Sequence, residues 1–346
     1  MEVGRVGRVT CAAFLIACCL TVRTCSAAGE KKGWNLRARF YQYTCPQAEK
    51  IAADLTRAAL GQDPTLAASL LRLFFHDCFV NGCDASILLD STLSGEPIEK
   101  ASLGNGKTMR GFELIDEIKD KLENECPEIV SCADITAYVT RDATVFSGLP
   151  YFKIPAGRRD GVISRATDVF HNLPTPAMTV DEMAAIFTRK GMTVDEMVTL
   201  TGAHSIGKVQ CSVFEDRIYN YSETGSRDPK LQAAYASYLS AMCPPADEVP
   251  VNLAAEGGDR LVYLDPSSPF RLDNSFYLRM REGKTLLQSD QNMADDPKTA
   301  ELVGKMAAEP KMWMKKFTRA LVRLSRVDVL TGNAGEIRKN CRAVNL

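Results

Sequence analysis

Cysteine content constrains the fold of this 346-residue chain more than any other feature of its sequence. Of its 12 cysteines, four lie before residue 29 and eight lie beyond it. The eight are Cys45, Cys78, Cys83, Cys126, Cys132, Cys211, Cys243 and Cys341. An even number in a secreted chain predicts disulfides, here four, but eight cysteines allow 105 pairings and the sequence selects none of them. Free or metal-binding thiols are the weaker interpretation, because the chain has no Cys-x-x-Cys pair.

The N-terminal residues have the layout of a secretory signal peptide. Arg5 and Arg8 precede the apolar run 11–22, and the small residues Ser-Ala-Ala at 26–28 follow it. The run is too short to cross a bilayer, so a membrane anchor or a buried helix is the weaker alternative. We therefore predict a signal peptide over residues 1–28, secretion, and one mature domain over residues 29–346 without a membrane span.

The charge distribution argues against nucleic-acid binding. The formal net charge is −1, and no long run of Lys and Arg occurs. Such a chain lacks the basic surface that binds a phosphate backbone. With 45% hydrophobic and 25% charged residues the composition is that of an ordinary globular protein with a sizeable core.

Hydrophobic periodicity predicts a mainly α fold with few, short strands. Asp63-Pro64 is typical of a helix start, with the proline at the first helical position. Apolar residues at helical spacing predict further helices over 111–126 and 131–146. Residues 244–273 are rich in Pro, Asp and Gly and are expected to form a long irregular segment.

The hexamer Met-Thr-Val-Asp-Glu-Met occurs twice, at 178–183 and 192–197. A repeat architecture needs more copies at a sustained period. Two capping boxes, Thr179 with Glu182 and Thr193 with Glu196, explain the repeat more simply, each at the start of a helix.

Arg72 and His76 are the first candidates for chemistry. Four residues apart, they share one face of an apolar helix, with Phe75 beside them. A buried guanidinium needs a partner or a ligand, so either Arg72 pairs with a structural acid such as Asp77, or a cation and an acid/base group line a pocket together.

The ten residues from Asp77 to Ser86 concentrate hard oxygen donors. Asp77, Asp84 and Ser86 lie close together in the sequence, and Gly82 leaves backbone carbonyls accessible. This donor density suits Ca²⁺, although the spacing is not that of an EF-hand, and ordinary loop capping is the alternative.

The remaining histidines are His171 and His204. His171 lies in a proline-bounded loop and is given no role. His204 falls near the end of the helix that begins at Thr193, where a core histidine is the plain interpretation. Ser205 with Gly207 approximates the nucleophile elbow of serine hydrolases, but that elbow requires a strand before the serine, and here a helix is predicted.

Two long motifs make the chain resemble the class III plant (secretory) haem peroxidases. They are Arg72-Leu-Phe-Phe-His76-Asp-Cys-Phe-Val-Asn-Gly-Cys-Asp-Ala-Ser86 and Thr201-Gly-Ala-His204-Ser-Ile-Gly207. Shorter matches follow in order, among them Tyr43-Thr-Cys45-Pro, Ser131-Cys-Ala-Asp134, Asn172-Leu-Pro174 and Gln288-Ser-Asp290-Gln. The resemblance extends from about Arg39 to Leu346.

The resemblance implies a haem-peroxidase fold, in which distal and proximal helical lobes enclose one non-covalent haem b. His204 would be the axial iron ligand and Asp290 would accept the hydrogen bond of its other ring nitrogen. On the distal side His76 would move a proton between the peroxide oxygens, and Arg72 would stabilise negative charge. Asn105 would orient His76, and Glu99 would be the partner of Asn105. Phe75 would pack against the haem, and the Pro174 carbonyl would help to hold an aromatic donor.

Two calcium sites and four disulfides are also implied. The distal site would use Asp77, Val80, Gly82, Asp84 and Ser86, with Glu99 through water. The proximal site would use Ser205, Asp265, Ser268, the Arg271 carbonyl and Asp273. The disulfides would join Cys45 to Cys126, Cys78 to Cys83, Cys132 to Cys341 and Cys211 to Cys243, and Asp134 would form a buried ion pair with Arg158.

The implied function is peroxide-dependent oxidation of phenolic or other small aromatic donors, contributing to peroxide removal and to oxidation of cell-wall phenolics. The alternative is a catalytically silent protein that binds haem and calcium on the same scaffold. We expect a monomer in the apoplast or cell wall, with a sequon for glycosylation at Asn220. Leu103 and Val213 stand where some relatives have aromatic residues, so the sequence does not predict which donor is preferred.

Overall fold

Helices form most of the fold. A computed structural model describes Met1 and residues 36–245 and 260–345. The α-helices in these ranges are α1 Ala48–Gln62, α2 Leu66–Val80, α3 Phe112–Glu125, α4 Cys132–Phe146, α5 Ala166–Asn172, α6 Val180–Arg189, α7 Val194–Thr201, α8 Asp216–Tyr219, α9 Ala233–Met242, α10 Ser275–Arg281, α11 Gln288–Asp295, α12 Ala300–Ala308 and α13 Pro310–Leu324. The mainly α prediction is confirmed.

Two three-residue strands form a small antiparallel sheet. β1 (Lys208–Gln210) pairs with β2 (Leu261–Tyr263), with Lys208 opposite Tyr263 and Gln210 opposite Leu261. The described end of the segment 244–273 therefore contains a strand and is not wholly irregular. The rest of that prediction lies largely outside the described residues, as do the signal peptide and the domain boundary at residue 28.

Local sequence signals explain where several helices begin. Ser131 caps α4 by accepting a hydrogen bond from the Asp134 amide, and both capping boxes form, at Thr179 for α6 and at Thr193 for α7. The start of α2 differs from the prediction. Asp63 accepts hydrogen bonds from Thr65, so the first turn is a tight one and the α-helix itself begins at Leu66.

The largest helix–helix contacts fall into two groups. In the first group α1, α2 and α3 contact α4, and in the second α6 and α13 contact α7 while α11 and α12 contact α10. One continuous hydrophobic core runs through both groups. A smaller core surrounds the Cys211–Cys243 disulfide and includes Phe214 and Leu239.

All four disulfides form as the resemblance implies: Cys45–Cys126, Cys78–Cys83, Cys132–Cys341 and Cys211–Cys243. Cys132–Cys341 spans 209 residues and joins the start of α4 to the C-terminal segment. A disulfide that closes so long a loop stabilises the fold by restricting the unfolded chain.

The predicted ion pair also forms, with Arg158 Nη1 2.7 Å from Asp134 Oδ1 and both side chains fully buried.

Within the described residues, none of the helices combines the length and the apolarity that crossing a bilayer requires.

Candidate active site

The imidazole of His76 is oriented by a buried amide. Its Nδ1 lies 2.6 Å from Asn105 Oδ1, and Asn105 Nδ2 donates a hydrogen bond to the Glu99 carbonyl at 2.8 Å. Because the amide nitrogen is used on Glu99, the amide oxygen must accept from His76. The proton therefore sits on Nδ1, and the lone pair of Nε2 is left for another group.

The surroundings of His76 keep it neutral. Burial lowers its pKa to about 3, and the positive charge of Arg72 adds to this effect, while the hydrogen bond to Asn105 opposes it. A neutral imidazole can accept a proton over a wide pH range. The Phe75 ring lies edge-on to the imidazole, with ring centroids 6.0 Å apart.

The guanidinium of Arg72 is bound by the same loop that holds Asn105. Nη1 donates to Thr108 Oγ1 at 2.9 Å and Nη2 donates to the Gly104 carbonyl at 3.0 Å. The Thr108 hydroxyl in turn donates to the Asn105 carbonyl at 3.2 Å. The alternative pairing of Arg72 with Asp77 is wrong, because Asp77 instead accepts from the Ala85 amide at 3.0 Å.

His204 lies in the 3₁₀ turn Gly202–Ser205, just after α7 ends at Thr201. The sequence had predicted that His204 lies near the end of the helix itself, whereas it lies in the turn that follows. Its Nδ1 lies 3.0 and 3.2 Å from the two carboxylate oxygens of Asp290, which is 1% exposed. Burial lowers the pKa of His204, but the charge and the hydrogen bond of Asp290 outweigh it, so the pKa is raised. With Nδ1 used in this way, Nε2 is the atom available to a metal.

The turn that carries His204 lies close to α2, which carries His76. Gly207, with φ of +104°, packs so closely against α2 that a Cβ there would lie 3.2 Å from the Ala68 Cβ. The turn that carries His204 therefore approaches the helix that carries His76. The charge of Arg72 lowers the pKa of both histidines, which agrees with a shared space. Both histidines are only partly buried.

Ser205 does not occupy a nucleophile elbow. It is fully buried, it ends the 3₁₀ turn that follows α7, and its hydroxyl accepts a hydrogen bond from the Asp273 amide at 3.2 Å. The strand that the elbow requires before the serine is absent from this place and β1 comes after it. His171 is exposed, but it lies in α5 and not in the predicted loop, and its carbonyl accepts a hydrogen bond from Arg189 at 2.6 Å.

Next to α2, the predicted distal donor set comes together in the interior. Asp77, Ser86 and Glu99 are fully buried and Asp84 is 5% exposed. Burial raises the pKa of Asp77 well above its ordinary value, and the charges of Asp84 and Glu99 raise it further. Burial also raises the pKa of Asp84 to about 6 and the pKa of Glu99 to about 8. Two buried oxygens of this set, Ser86 Oγ and Glu99 Oε2, have no hydrogen-bond partner.

The backbone members of the distal set are close by. Gly82 has φ of +103°, and a Cβ there would lie 2.3 Å from the Asp328 carbonyl oxygen, so the position requires glycine. The Val80 carbonyl already accepts a hydrogen bond from Lys190 Nζ at 3.0 Å. A carbonyl oxygen has two lone pairs, so this contact leaves one of them free.

A second oxygen cluster lies behind His204. Ser275, which the sequence had not singled out, connects its members. The Ser275 hydroxyl donates to Asp265 Oδ2 at 2.5 Å, contacts Asp273 Oδ1, and lies 3.1 Å from Ser268 Oγ. The Arg271 amide donates to the Ser268 carbonyl at 2.9 Å, which folds the loop around the cluster.

Pro174 is half-buried in a loop tied to the helix of Asp290. The Ser289 amide donates to the Pro176 carbonyl at 2.8 Å, and Asn292 Nδ2 donates to the Met178 carbonyl at 3.0 Å. Leu103 is 91% exposed and Val213 is 37% exposed, so neither is part of the core.

Comparison with known proteins agrees with this geometry. The family model described as peroxidase matches residues 52–309, well over half of the chain. The chain is 42% identical over 311 residues to peroxidase 5 of Vitis vinifera, covering 90% of this chain and 92% of the relative. It is 44% identical to peroxidase 57 and 43% identical to peroxidase 28 of Arabidopsis thaliana, over 90% of this chain and 93% and 94% of those proteins. The chain belongs to the class III plant peroxidase family.

Proposed function

We propose that the protein is a haem peroxidase that uses hydrogen peroxide to oxidise phenolic or other small aromatic donors. The observation that carries this proposal is the pair of histidines on neighbouring elements, each with Nδ1 engaged and Nε2 available. His76 adjoins a guanidinium, and His204 is bonded to a buried carboxylate. This asymmetry suits one histidine to proton transfer and the other to metal ligation.

The residues present fit a non-covalent haem b. His204 would ligate the iron through Nε2, Asp290 would increase the electron density on that imidazole, and Phe75 would pack against the macrocycle. When bound, the haem would supply the redox chemistry that couples the reduction of peroxide to the oxidation of the donor.

His76 and Arg72 would act on the peroxide. Nε2 of His76, kept unprotonated by its surroundings, accepts a proton from one peroxide oxygen and returns it to the other. Arg72 stabilises the negative charge that develops on the departing oxygen. Asn105 keeps the His76 proton on Nδ1, and the Pro174 carbonyl is the acceptor for the hydroxyl of an aromatic donor.

The distal cluster fits a calcium ion. Hard oxygen atoms dominate the set, and its buried carboxylates lie beside two oxygens without a hydrogen-bond partner, a donor chemistry that suits a hard divalent cation. Within the described residues, no three His, Cys, Asp or Glu side chains converge on a point. The ligands would therefore include the Val80 and Gly82 carbonyls and the Ser86 hydroxyl beside Asp77 and Asp84, with Glu99 reached through water.

The proximal cluster supports a second calcium site of the same chemical type. Asp265 and Asp273 supply the charged oxygens, Ser205 and Ser268 the hydroxyls, and Arg271 a carbonyl. The site would fix the turn that carries His204, because Ser205 follows His204 directly.

The setting we propose is extracellular. The four disulfides support secretion to the apoplast or cell wall after removal of residues 1–28, with the mature protein as a monomer. Asn220 is exposed and its Oδ1 accepts from the Gly225 amide, so its Nδ2 is accessible for a glycan. A mass decrease after glycosidase treatment of the plant-expressed protein, absent in Asn220→Gln, checks that site.

The test of the proposed function uses the purified, oxidised protein. We expect one haem per chain, a Soret band, and oxidation of a simple phenol that requires peroxide. A correctly disulfide-bonded protein that binds no haem would contradict the proposal. A haem-bound protein without peroxide turnover would instead indicate the silent binding protein.

A further inference from the structure

A buried arginine lies against the proximal oxygen cluster. Arg279, on α10, is 9% exposed, and its Nε lies 3.8 Å from Asp265 Oδ1. Its guanidinium also packs over the Tyr235 ring, with Cζ 4.9 Å from the centroid. A carboxylate implied as a calcium ligand therefore already has a cation beside it.

Arg279 has few other means of satisfying its charge. Its Nε and Nη2 atoms have no hydrogen-bond partner, and Asp265 is the only carboxylate within 4.0 Å of it among the described residues. A buried guanidinium is costly unless it is paired, so the fold depends on the negative charge of Asp265 to hold Arg279 in place. Arg271 also lies 4.0 Å from Asp273, but its side chain is 68% exposed and solvent screens its charge.

The proximal carboxylates also have hydrogen-bond donors from the chain itself. Ser275 donates to Asp265 and contacts Asp273, and the Ser267 amide donates to Asp265 Oδ1 at 2.8 Å. Asp265 thus has a buried guanidinium beside it and shares the Ser275 hydroxyl with Asp273, which satisfies much of its charge without a metal ion.

The distal cluster has hydrogen-bond donors too, but no ion pair. Asp77, Asp84 and Glu99 are buried, and each accepts a hydrogen bond from the chain, from the Ala85 amide, the Ser86 amide and Asn81 Nδ2 respectively. Among the described residues, no Lys or Arg nitrogen lies within 4.0 Å of these three carboxylates, and Ser86 Oγ and Glu99 Oε2 have no hydrogen-bond partner. The basic neighbours of this cluster have carboxylates outside the donor set. Lys190 pairs with Asp328 at 3.3 Å, and Arg338 comes nearest to Asp160, at 3.9 Å.

We propose that Arg279 weakens calcium binding at the proximal site by acting as a resident counter-ion of Asp265, so that the distal site is the tighter of the two. The inference rests on the two calcium sites of the proposed function. A divalent ion bound by Asp265 experiences repulsion from a buried positive charge that water screens poorly, whereas no ion pair among the described residues includes a carboxylate of the distal set. The proximal loop should keep its fold when its calcium is removed.

Calcium titration of the holoenzyme tests the proposal. The haem-loaded protein is stripped with a chelator, transferred to chelator-free buffer and titrated with CaCl₂ by calorimetry, with bound calcium measured by elemental analysis. We expect two affinities at least tenfold apart, with the weaker one absent in Asp265→Asn. In Arg279→Met, which keeps the apolar contact with Tyr235, the weaker affinity should rise at least tenfold. Arg281→Met, an exposed arginine on the same helix, should leave both affinities unchanged.

The outcomes separate this inference from the proposed function. An unchanged proximal affinity in Arg279→Met, or an equal rise in Arg281→Met, would overturn the role of Arg279. If the wild type binds one calcium and Arg279→Met binds two, the inference holds. If Arg279→Met fails to fold, Arg279→Gln replaces it with the same expected result. Haem content and phenol oxidation are recorded on the wild type separately, so their absence bears on the proposed function alone.

Discussion

Residues 99–108 hold two polar side chains of α2, Arg72 and His76. Asn105 binds His76, Thr108 and Gly104 bind Arg72, and the Thr108 hydroxyl joins the two by donating to the Asn105 carbonyl. The orientation of His76 is therefore coupled to the position of Arg72. Substitutions in this loop should alter the reaction with peroxide without removing a reacting group.

The charge of Arg72 should be visible in the pH dependence of the peroxide reaction. Neutral His76 is the active form, so the rate should be constant above its folded-state pKa and fall as pH drops toward about 3. Removing the positive charge in Arg72→Leu takes away one cause of the low pKa. In this variant the fall of the rate at low pH should begin at a higher pH, and the rate should also be lower at every pH. Stopped-flow rates between pH 3 and 8 measure this, and a limb that stays in place or moves down would contradict it.

Thr108 should act as a positioning residue for Arg72. Thr108→Val removes the hydroxyl and leaves one guanidinium nitrogen without its acceptor, which should lower the rate constant for peroxide by about tenfold, since a hydrogen bond to a charged group contributes about 1.5–3 kcal/mol. Thr108→Ser keeps the hydroxyl and should restore most of the rate. Equal losses in both variants would mean that the methyl group, and not the hydrogen bond, is what matters.

The residues with charge or metal-binding ability could be found from the sequence, and their neighbours could not. Helical spacing alone placed Arg72 and His76 together. Thr108, Ser275 and Arg279 escaped notice because their partners lie 36, 10 and 14 positions away across loops and helices, as the contacts Arg72–Thr108, Ser275–Asp265 and Arg279–Asp265 demonstrate. Only the tertiary fold brings such pairs together.

At the scale of single elements, α7 delivers His204 to the site. The helix begins with a capping box at Thr193 and ends three residues before the histidine. Because the cap satisfies amides that the helix leaves free at its start, it fixes where α7 begins and thus how the following turn is presented.

The capping box gives a stability prediction. Thr193→Ala should lower the free energy of unfolding by about 1 kcal/mol, the usual cost of losing an N-cap side chain. Ser237→Ala is the control, an exposed serine inside α9 where alanine favours the helix, and should leave stability unchanged or slightly increased. Denaturant unfolding of the calcium-loaded holoenzyme compares them. Equal effects of the two substitutions would count against the cap.

Elements with strong local signals were predictable. The helices α3, α4, α6 and α7 follow apolar spacing and caps, and the structure confirms them. The start of α2 and the turn of His204 differ from the prediction because short-range hydrogen bonds there favour tighter turns, which periodicity does not reveal.

At the scale of the whole molecule, the disulfides connect distant parts of the chain. Their number followed from counting cysteines, but the pairing did not, because it depends on which cysteines the fold brings within bonding distance. The family resemblance supplied the pairing that spacing could not, and the four observed disulfides match it.

Loop length predicts how much each disulfide stabilises the fold. Replacing Cys132 and Cys341 by alanine should cost about 2–5 kcal/mol, as for native disulfides in small secreted domains. Replacing Cys211 and Cys243, which lie 32 positions apart rather than 209, should cost about 1 to 2 kcal/mol less, because the shorter loop restricts the unfolded chain less. Thermal unfolding of both double variants tests the order, and a larger loss for the shorter loop would contradict it.

The central claim is that His76 transfers the proton of peroxide while His204 holds the haem. The most direct measurement is a single-turnover reaction of peroxide with His76→Ala and wild-type holoenzymes of equal haem content. We predict a fall in the rate constant for peroxide of about 10²–10⁴-fold in the variant, with haem still bound, which is the range for loss of a general acid–base group. An unchanged rate with full haem occupancy would contradict the account.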